Sequence, residues 1–106
     1  MSAKKLIALC ACPMGLAHTF MAAEAIEVEA RKRGYEVKVE TQGADGIQNE
    51  LTPADIAEAT VIIHATGITP QNLERFNGYA VYDVELKDAV KDAGSLIDEI
   101  EQDQAQ

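Results

Sequence analysis

Leu6-Ile7-Ala8-Leu9-Cys10-Ala11 is an unbroken apolar run of strand length. A strand wet on one face alternates apolar with polar residues. A continuous run belongs to a strand covered on both faces, the situation of a central strand in a parallel α/β sheet. From about Thr19 to Arg33 the period changes: Met21, Ala25 and Val28, with Ala22 and Ile26 beside them, recur at helical spacing, while Glu24, Glu27 and Arg31 share another face. Arg31-Lys32-Arg33 puts cations on the last turn, where the helix dipole favours them, and Gly34 supplies the left-handed residue that ends the helix.

The remaining chain continues the alternation of strand and helix. Val37 to Thr41 alternates as a half-exposed edge strand, and Gly43, Asp45 and Gly46 then break the chain. Thr52-Pro53-Ala54-Asp55 predicts a short helix, with Thr52 as cap, proline at the first helical position, and Leu51 able to staple onto Ile56. Val61 to Ala65 reads as a second buried strand and Tyr79 to Val84 as the opposite edge, with Thr69-Pro70 opening a helical turn that carries Leu73, Arg75 and Phe76. Leu86, Ala89, Val90, Ala93, Leu96, Ile97 and Ile100 mark a final helix, in which Gly94 costs about 1 kcal/mol relative to alanine. The expected fold class is α/β: a single domain over residues 1–106, with an open four-stranded parallel sheet flanked by helices on both faces.

Composition narrows the function. Eighteen acidic against nine basic side chains give a net charge of −9, which argues against nucleic-acid or anionic-membrane partners. No apolar run is long enough to span a bilayer, and no secretory leader precedes the first strand, so a cytoplasmic protein is expected. Cys10 and Cys12 lie too close for an ordinary structural disulfide, so at least one should be a free thiol.

Between the first strand and first helix lies Cys12-Pro13-Met14-Gly15-Leu16-Ala17-His18-Thr19. Open α/β sheets bind ligands beyond the carboxyl ends of their strands, where helix amino ends converge. A loop of small residues around Gly15 can turn its N–H groups inward as an anion nest, which both lowers the Cys12 thiol pKa and holds phosphoryl oxygens on that sulfur. The spacing Cys-x5-His-Thr parallels the Cys-x5-Arg-Ser/Thr loop of low-molecular-weight tyrosine phosphatases, with His18 in the arginine's place. Without the arginine fork, and with no Asp-Pro dipeptide to supply a leaving-group acid, fast hydrolysis is poorly supported. A slowly hydrolysed phosphocysteine points to a carrier.

Residues Ala11 to Ala25 closely resemble the signature of the fructose-family enzyme IIB of the bacterial phosphoenolpyruvate-dependent sugar phosphotransferase system, and the resemblance continues through Val39-Glu40-Thr41-Gln42-Gly43, Leu51-Thr52 with Asp55-Ile56, and Arg75-Phe76 with Gly78. It implies a phosphocysteine at Cys12 that takes phosphate from a phosphohistidine on enzyme IIA and passes it to a fructose or fructose-like sugar held by the membrane-embedded IIC. The phosphate-binding loop is then Pro13, Met14, Gly15, Leu16, Ala17, His18 and Thr19. Met14 stands where the family commonly has threonine, removing one hydroxyl donor, and many members have an aspartate near Gly67.

Other residues have plainer readings beside functional ones. Cys10 reads as a small apolar strand residue. A Cys-x-Cys pair beside His18 lacks a fourth local ligand, so no metal is expected, and the reaction calls for no cofactor. His18 is expected to donate to a phosphate oxygen, and Thr19 to cap the helix or bond phosphate. His64 reads as packed or solvent-facing, with access to the site as the alternative. Arg75 reads as a surface residue, with contact to the phosphoryl group or a partner as its alternative. Gln42 is a candidate contact for IIA or IIC. Two other functions stay open from the residues alone: a low-molecular-weight phosphatase-like or arsenate-reductase-like enzyme, and a non-catalytic regulatory module that docks on a transporter through the acidic final helix.

Overall fold

A computed structural model of the chain describes residues 4–11, 16–43, 46–67, 70 and 72–105, with residues 16–18 as backbone only. Among them the elements are β1 (Lys4–Ala11), α1 (Leu16–Lys32), β2 (Tyr35–Gly43), β3 (Gly46–Gln48), α2 (Pro53–Glu58), β4 (Val61–Thr66), a 3₁₀ turn (Leu73–Phe76), β5 (Tyr82–Glu85) and α3 (Leu86–Gln104). The sheet order is β3-β2-β1-β4-β5.

The four parallel strands are those expected: β1 pairs with β2 and β4, and β4 with β5. The correction is a fifth strand. β2 runs on to Gly43 and the chain folds back as antiparallel β3, matching Thr41 with Gln48, Gln42 with Ile47 and Gly43 with Gly46. The glycines read as a break thus serve a reversal, Gly46 taking a positive φ of 93° that a side chain would resist. The carboxyl end of β2 is therefore covered, and the sheet is mixed.

β1 is the axis of the fold, all six residues from Leu6 to Ala11 being buried. Its even residues Leu6, Ala8 and Cys10 face one core with Ala22, Ile26 and Ala30 of α1 and Ala89, Ala93, Ile97 and Ile100 of α3. Ile7 and Leu9 face a smaller core with Leu51, Ile56, Ile62 and Phe76. One face thus carries two long helices and the other only α2 and the 3₁₀ turn.

In α1 the stripe that packs is not the one suggested by the larger side chains. Met21 and Val28 are 50% and 44% exposed, while Ala22, Ile26 and Ala30 are buried. Small residues let the helix approach the sheet closely, so alanines line the contact and bulkier neighbours are left outside. Gly34 ends the helix at φ 86°, its N–H reaching the Arg31 carbonyl at 3.1 Å. Gly94 has a similar packing logic in α3: a Cβ there would sit 3.2 Å from Glu29 Oε1 and 3.4 Å from Arg33 Nη2. Arg33 uses the space, donating to the Gly94 carbonyl at 3.2 Å and to Asp98 at 3.0 Å, which ties α1 to α3.

At α2 the start is as the sequence predicts. Asp55 N–H donates to Thr52 Oγ1 at 3.1 Å and Thr52 N–H to Asp55 Oδ2 at 2.9 Å, a reciprocal capping box. Leu51 and Ile56, flanking the cap, are buried in the same small core. Later boundaries shift. The last strand begins at Tyr82 rather than Tyr79, and Asn72 enters the 3₁₀ turn with φ 61°, three residues beyond the expected Thr69 start. Thr69 itself lies outside the described residues.

Candidate active site

The parallel strands end together. Ala11 of β1 lies in register with Gln42 of β2 and Thr66 of β4, and the next residue of β4's chain, Gly67, donates its N–H to the Ala11 carbonyl at 2.9 Å. Strand order reverses between β1 and β4, so this junction is the switch point at which open α/β sheets receive ligands. Cys12 follows Ala11 directly in sequence, and α1 begins at Leu16. Cys12, Pro13, Met14 and Gly15 lie outside the described residues, as do the side chains of Leu16, Ala17 and His18, whose backbone forms the first turn of α1.

α1 is 17 residues long, has no acid in its first turn, and carries Arg31 and Lys32 in its last. With no acid in its first turn, the helix keeps the positive end of its dipole at its amino end. Thr19 lies within this first stretch of helix rather than at a cap, because α1 starts three residues earlier than its apolar period suggests. The residue is 1% exposed, and its Oγ1 has no hydrogen-bond partner among the described residues. A buried hydroxyl in that state calls for one.

Beside the junction, Thr66, Gly67, Glu85, Leu86, Lys87, Val90 and Lys91 line a cleft of about 620 Å³. On the other side, Gln42 is buried and donates Nε2–H to Glu40 Oε2 at 2.7 Å.

Arg75 is not a surface residue. Its Nη1 and Nη2 donate to the two Glu40 oxygens at 2.7 and 2.8 Å, Nη1 also to the Leu51 carbonyl at 2.9 Å, and Nε to the Asn72 carbonyl at 2.8 Å. Its fork is filled by Glu40, so Arg75 is the ion-pair partner of a buried carboxylate. Glu40 is 0% exposed. Burial pushes its carboxyl pKa up, but Arg75, Gln42 and the Leu51 N–H together outweigh burial and hold it below the ordinary value. Glu40 belongs to a segment that carries the family resemblance, but its pairing left no local signal: it occupies a polar position of an alternating strand, and its partner lies 35 residues away.

His64 is packed, not directed at the junction. Its ring meets Phe76 edge-on at 4.5 Å between centroids, and its Nδ1 lies 3.8 Å from Asp83. Along β4 it is matched with Leu9, three residues short of Cys12. Burial lowers its pKa against the pull of Asp83. Cys10 is likewise structural, a free buried thiol whose pKa burial pushes up to about 12.

The fold defines a class: a small open-sheet α/β domain whose central strand ends at the switch point of the sheet and is followed in the chain by its first long helix. Comparison with known proteins shows the family. Residues 7–99 match the family model described as PTS system, Lactose/Cellobiose specific IIB subunit. The chain is 66% identical over 99 residues to "PTS system fructose-like EIIB component 1" of Escherichia coli K12, covering 93% of this chain and 92% of the relative. To "PTS system fructose-like EIIB component 2" of the same organism it is 49% identical over 102 residues, covering 96% of each. The solution structure of an enzyme IIB subunit of the PTS system from E. coli K12 superposes with a TM-score of 0.93 at 63% identity, covering 98% of this chain and 96% of that one. A crystal structure of a domain of a fructose-specific IIABC component from Borrelia burgdorferi gives 0.87 at 44% identity, covering 92% and 93%.

The chain belongs to the enzyme IIB family of the sugar phosphotransferase system and is of its fructose-like type. It is a phosphoryl-transfer module, a component of a sugar phosphotransferase whose general partners are enzymes IIA and IIC. Among the described residues no helix is long and apolar enough to cross a membrane.

Proposed function

We propose that Cys12 is the residue that carries the phosphoryl group, within one IIB domain spanning residues 1–106 that works in the cytoplasm. Its thiolate attacks the phosphorus of a phosphohistidine on IIA. The S–P bond forms as the N–P bond breaks, and the imidazole leaves. Main-chain N–H groups of residues 13 to 19, the His18 side chain and the Thr19 hydroxyl stabilise the equatorial oxygens, so positioning and electrostatics supply most of the rate. In the second step a hydroxyl of fructose or a fructose-like sugar held by IIC attacks the phosphorus, Cys12 leaves as thiolate, and the hydroxyl proton passes to a base on IIC.

The observation that supports this reading is the buried Thr19 hydroxyl, without a hydrogen-bond partner among the described residues, in the first stretch of α1, the long helix that follows β1 in the chain. An anion on the sulfur that follows Ala11 gives that hydroxyl an acceptor.

Incubation with phosphoenolpyruvate, enzyme I, the histidine carrier protein and IIA, followed by mass spectrometry, should place one phosphate on Cys12. Equal labelling of Cys12→Ser would overturn the assignment. Sustained turnover of p-nitrophenyl phosphate would favour a phosphatase instead.

A further inference from the structure

The geometry points to Gln42 as a positioning residue for phosphoryl transfer, its amide oriented by the buried Glu40–Arg75 pair. This role rests on Cys12 being the carrier.

Three segments converge on the pair. Arg75 takes the Asn72 carbonyl at the entrance to the 3₁₀ turn, the Leu51 carbonyl before α2, and both oxygens of Glu40 on β2. Glu40 in turn accepts four hydrogen bonds, two from Arg75, one from Leu51 N–H at 2.8 Å and one from Gln42 Nε2 at 2.7 Å. Its acceptor capacity is saturated by rigidly held donors, which fixes the carboxylate in one place.

The consequence falls on Gln42. An ionised carboxylate only accepts, so the edge of the amide that meets Glu40 must be the NH2 group. The Gln42 carbonyl oxygen is thereby committed to a different direction, and the amide is prevented from flipping. Gln42 is the register partner of Ala11, the residue bonded to Cys12, so this polarised and locked amide flanks the root of the phosphoryl-bearing loop. A surface contact residue would need no such anchorage. The pair ties β2 to the segment before α2 and to the 3₁₀ turn, and the amide it fixes is the part of that network level with the last residue of β1.

The test uses the full chain and its phosphorylated IIA donor, comparing wild type with Gln42→Ala and Arg75→Lys. Arg75→Lys keeps the charge but loses the fork and the two carbonyl contacts. Both variants should still be phosphorylated on Cys12, with a maximal single-turnover rate lower by roughly 10- to 100-fold, the scale of a small misplacement at a reacting group, and little change in half-saturating donor concentration. Gln42→Ala should melt below wild type, since the buried Glu40 loses a hydrogen bond, so its rate too is compared at a temperature where it is fully folded. Wild-type rates in Gln42→Ala, or a loss in Arg75→Lys that disappears on cooling to a temperature where it is fully folded, would overturn the positioning role and leave the Cys12 assignment standing. Phosphate found on another residue of the wild type would overturn both.

Discussion

The N–H of Gly67 donates to the carbonyl of Ala11 at 2.9 Å, extending the pairing of β1 and β4 by one bond past the last strand residue. Ala11 is fully buried, so its carbonyl depends on that donor. Gly67→Pro removes the N–H and leaves the carbonyl unpaired. The substitution should lower unfolding free energy by about 1–3 kcal/mol in urea titrations, and should slow phosphoryl transfer more than a surface change of equal stability cost.

Asp55 holds two lysines and a backbone N–H together. It bonds Lys38 Nζ at 2.7 Å, Lys5 Nζ at 2.8 Å and the Thr52 N–H at 2.9 Å, and these, Lys38 first and Lys5 next, hold it well below the usual carboxylate range. With the folded pKa depressed, the unfolded chain takes up the proton first on acidification. The stabilisation is present above about pH 5 and is lost as pH falls below the ordinary aspartate pKa of about 3.9 toward the folded value. Asp55→Asn should flatten stability between about pH 5 and 2, and Asp55→Ala should cost about 1–3 kcal/mol at pH 7, both read by urea midpoints.

Only one of the two thiols should react in the native protein. Cys10 faces the larger core with its pKa pushed up to about 12 by burial. Limited iodoacetamide at neutral pH should modify a single cysteine, and peptide mapping should find Cys10 unmodified until denaturant is added. Cys10→Ala should keep full labelling and phosphorylation, at a stability cost of about 1 kcal/mol for the lost sulfur contacts.

His64 makes the opposite pH signature from a paired cation. Burial, against the Asp83 carboxylate, lowers its pKa below the ordinary 6.5, so the folded protein keeps it neutral while the unfolded chain protonates it. Stability should therefore begin to fall as pH drops through 6.5 and go on falling until the folded value is passed. The buried Nε2 also has no partner among the described residues. His64→Phe, packing beside Phe76, should be neutral or stabilising and should remove the decline between pH 7 and 5. A steeper decline in the variant would contradict this account.

Local signals carried much of the fold. The Thr52 cap with its Leu51 and Ile56 staple, the Gly34 helix end and the buried run of β1 each depend on residues a few positions apart, and each stands where its chemistry directs. What escaped depends on distance or on size. Arg75 looked exposed because nothing near it in sequence balances its charge; Glu40 does so only after the sheet has formed. The packing face of α1 was caught in part: Ala22 and Ile26 pack as expected, whereas Met21 and Val28 outweigh alanines on any hydrophobicity scale yet stay exposed, because close approach to a sheet selects small residues such as Ala30. β3 has three residues, too few for a period to register. At the site, Cys12 stood out through its position after a buried strand and before a helix, while the Glu40 anchor behind Gln42 left no local mark.

Ala11 is hemmed in by Gln42 on one side and Thr66 on the other, inside a strand with no exposed residue from Leu6 onward. Such a pedestal does not swivel, so whatever is joined to Ala11 starts from a fixed point. Under the carrier mechanism, donor and acceptor then compete for a single berth. Turnover becomes a matter of alternating visitors.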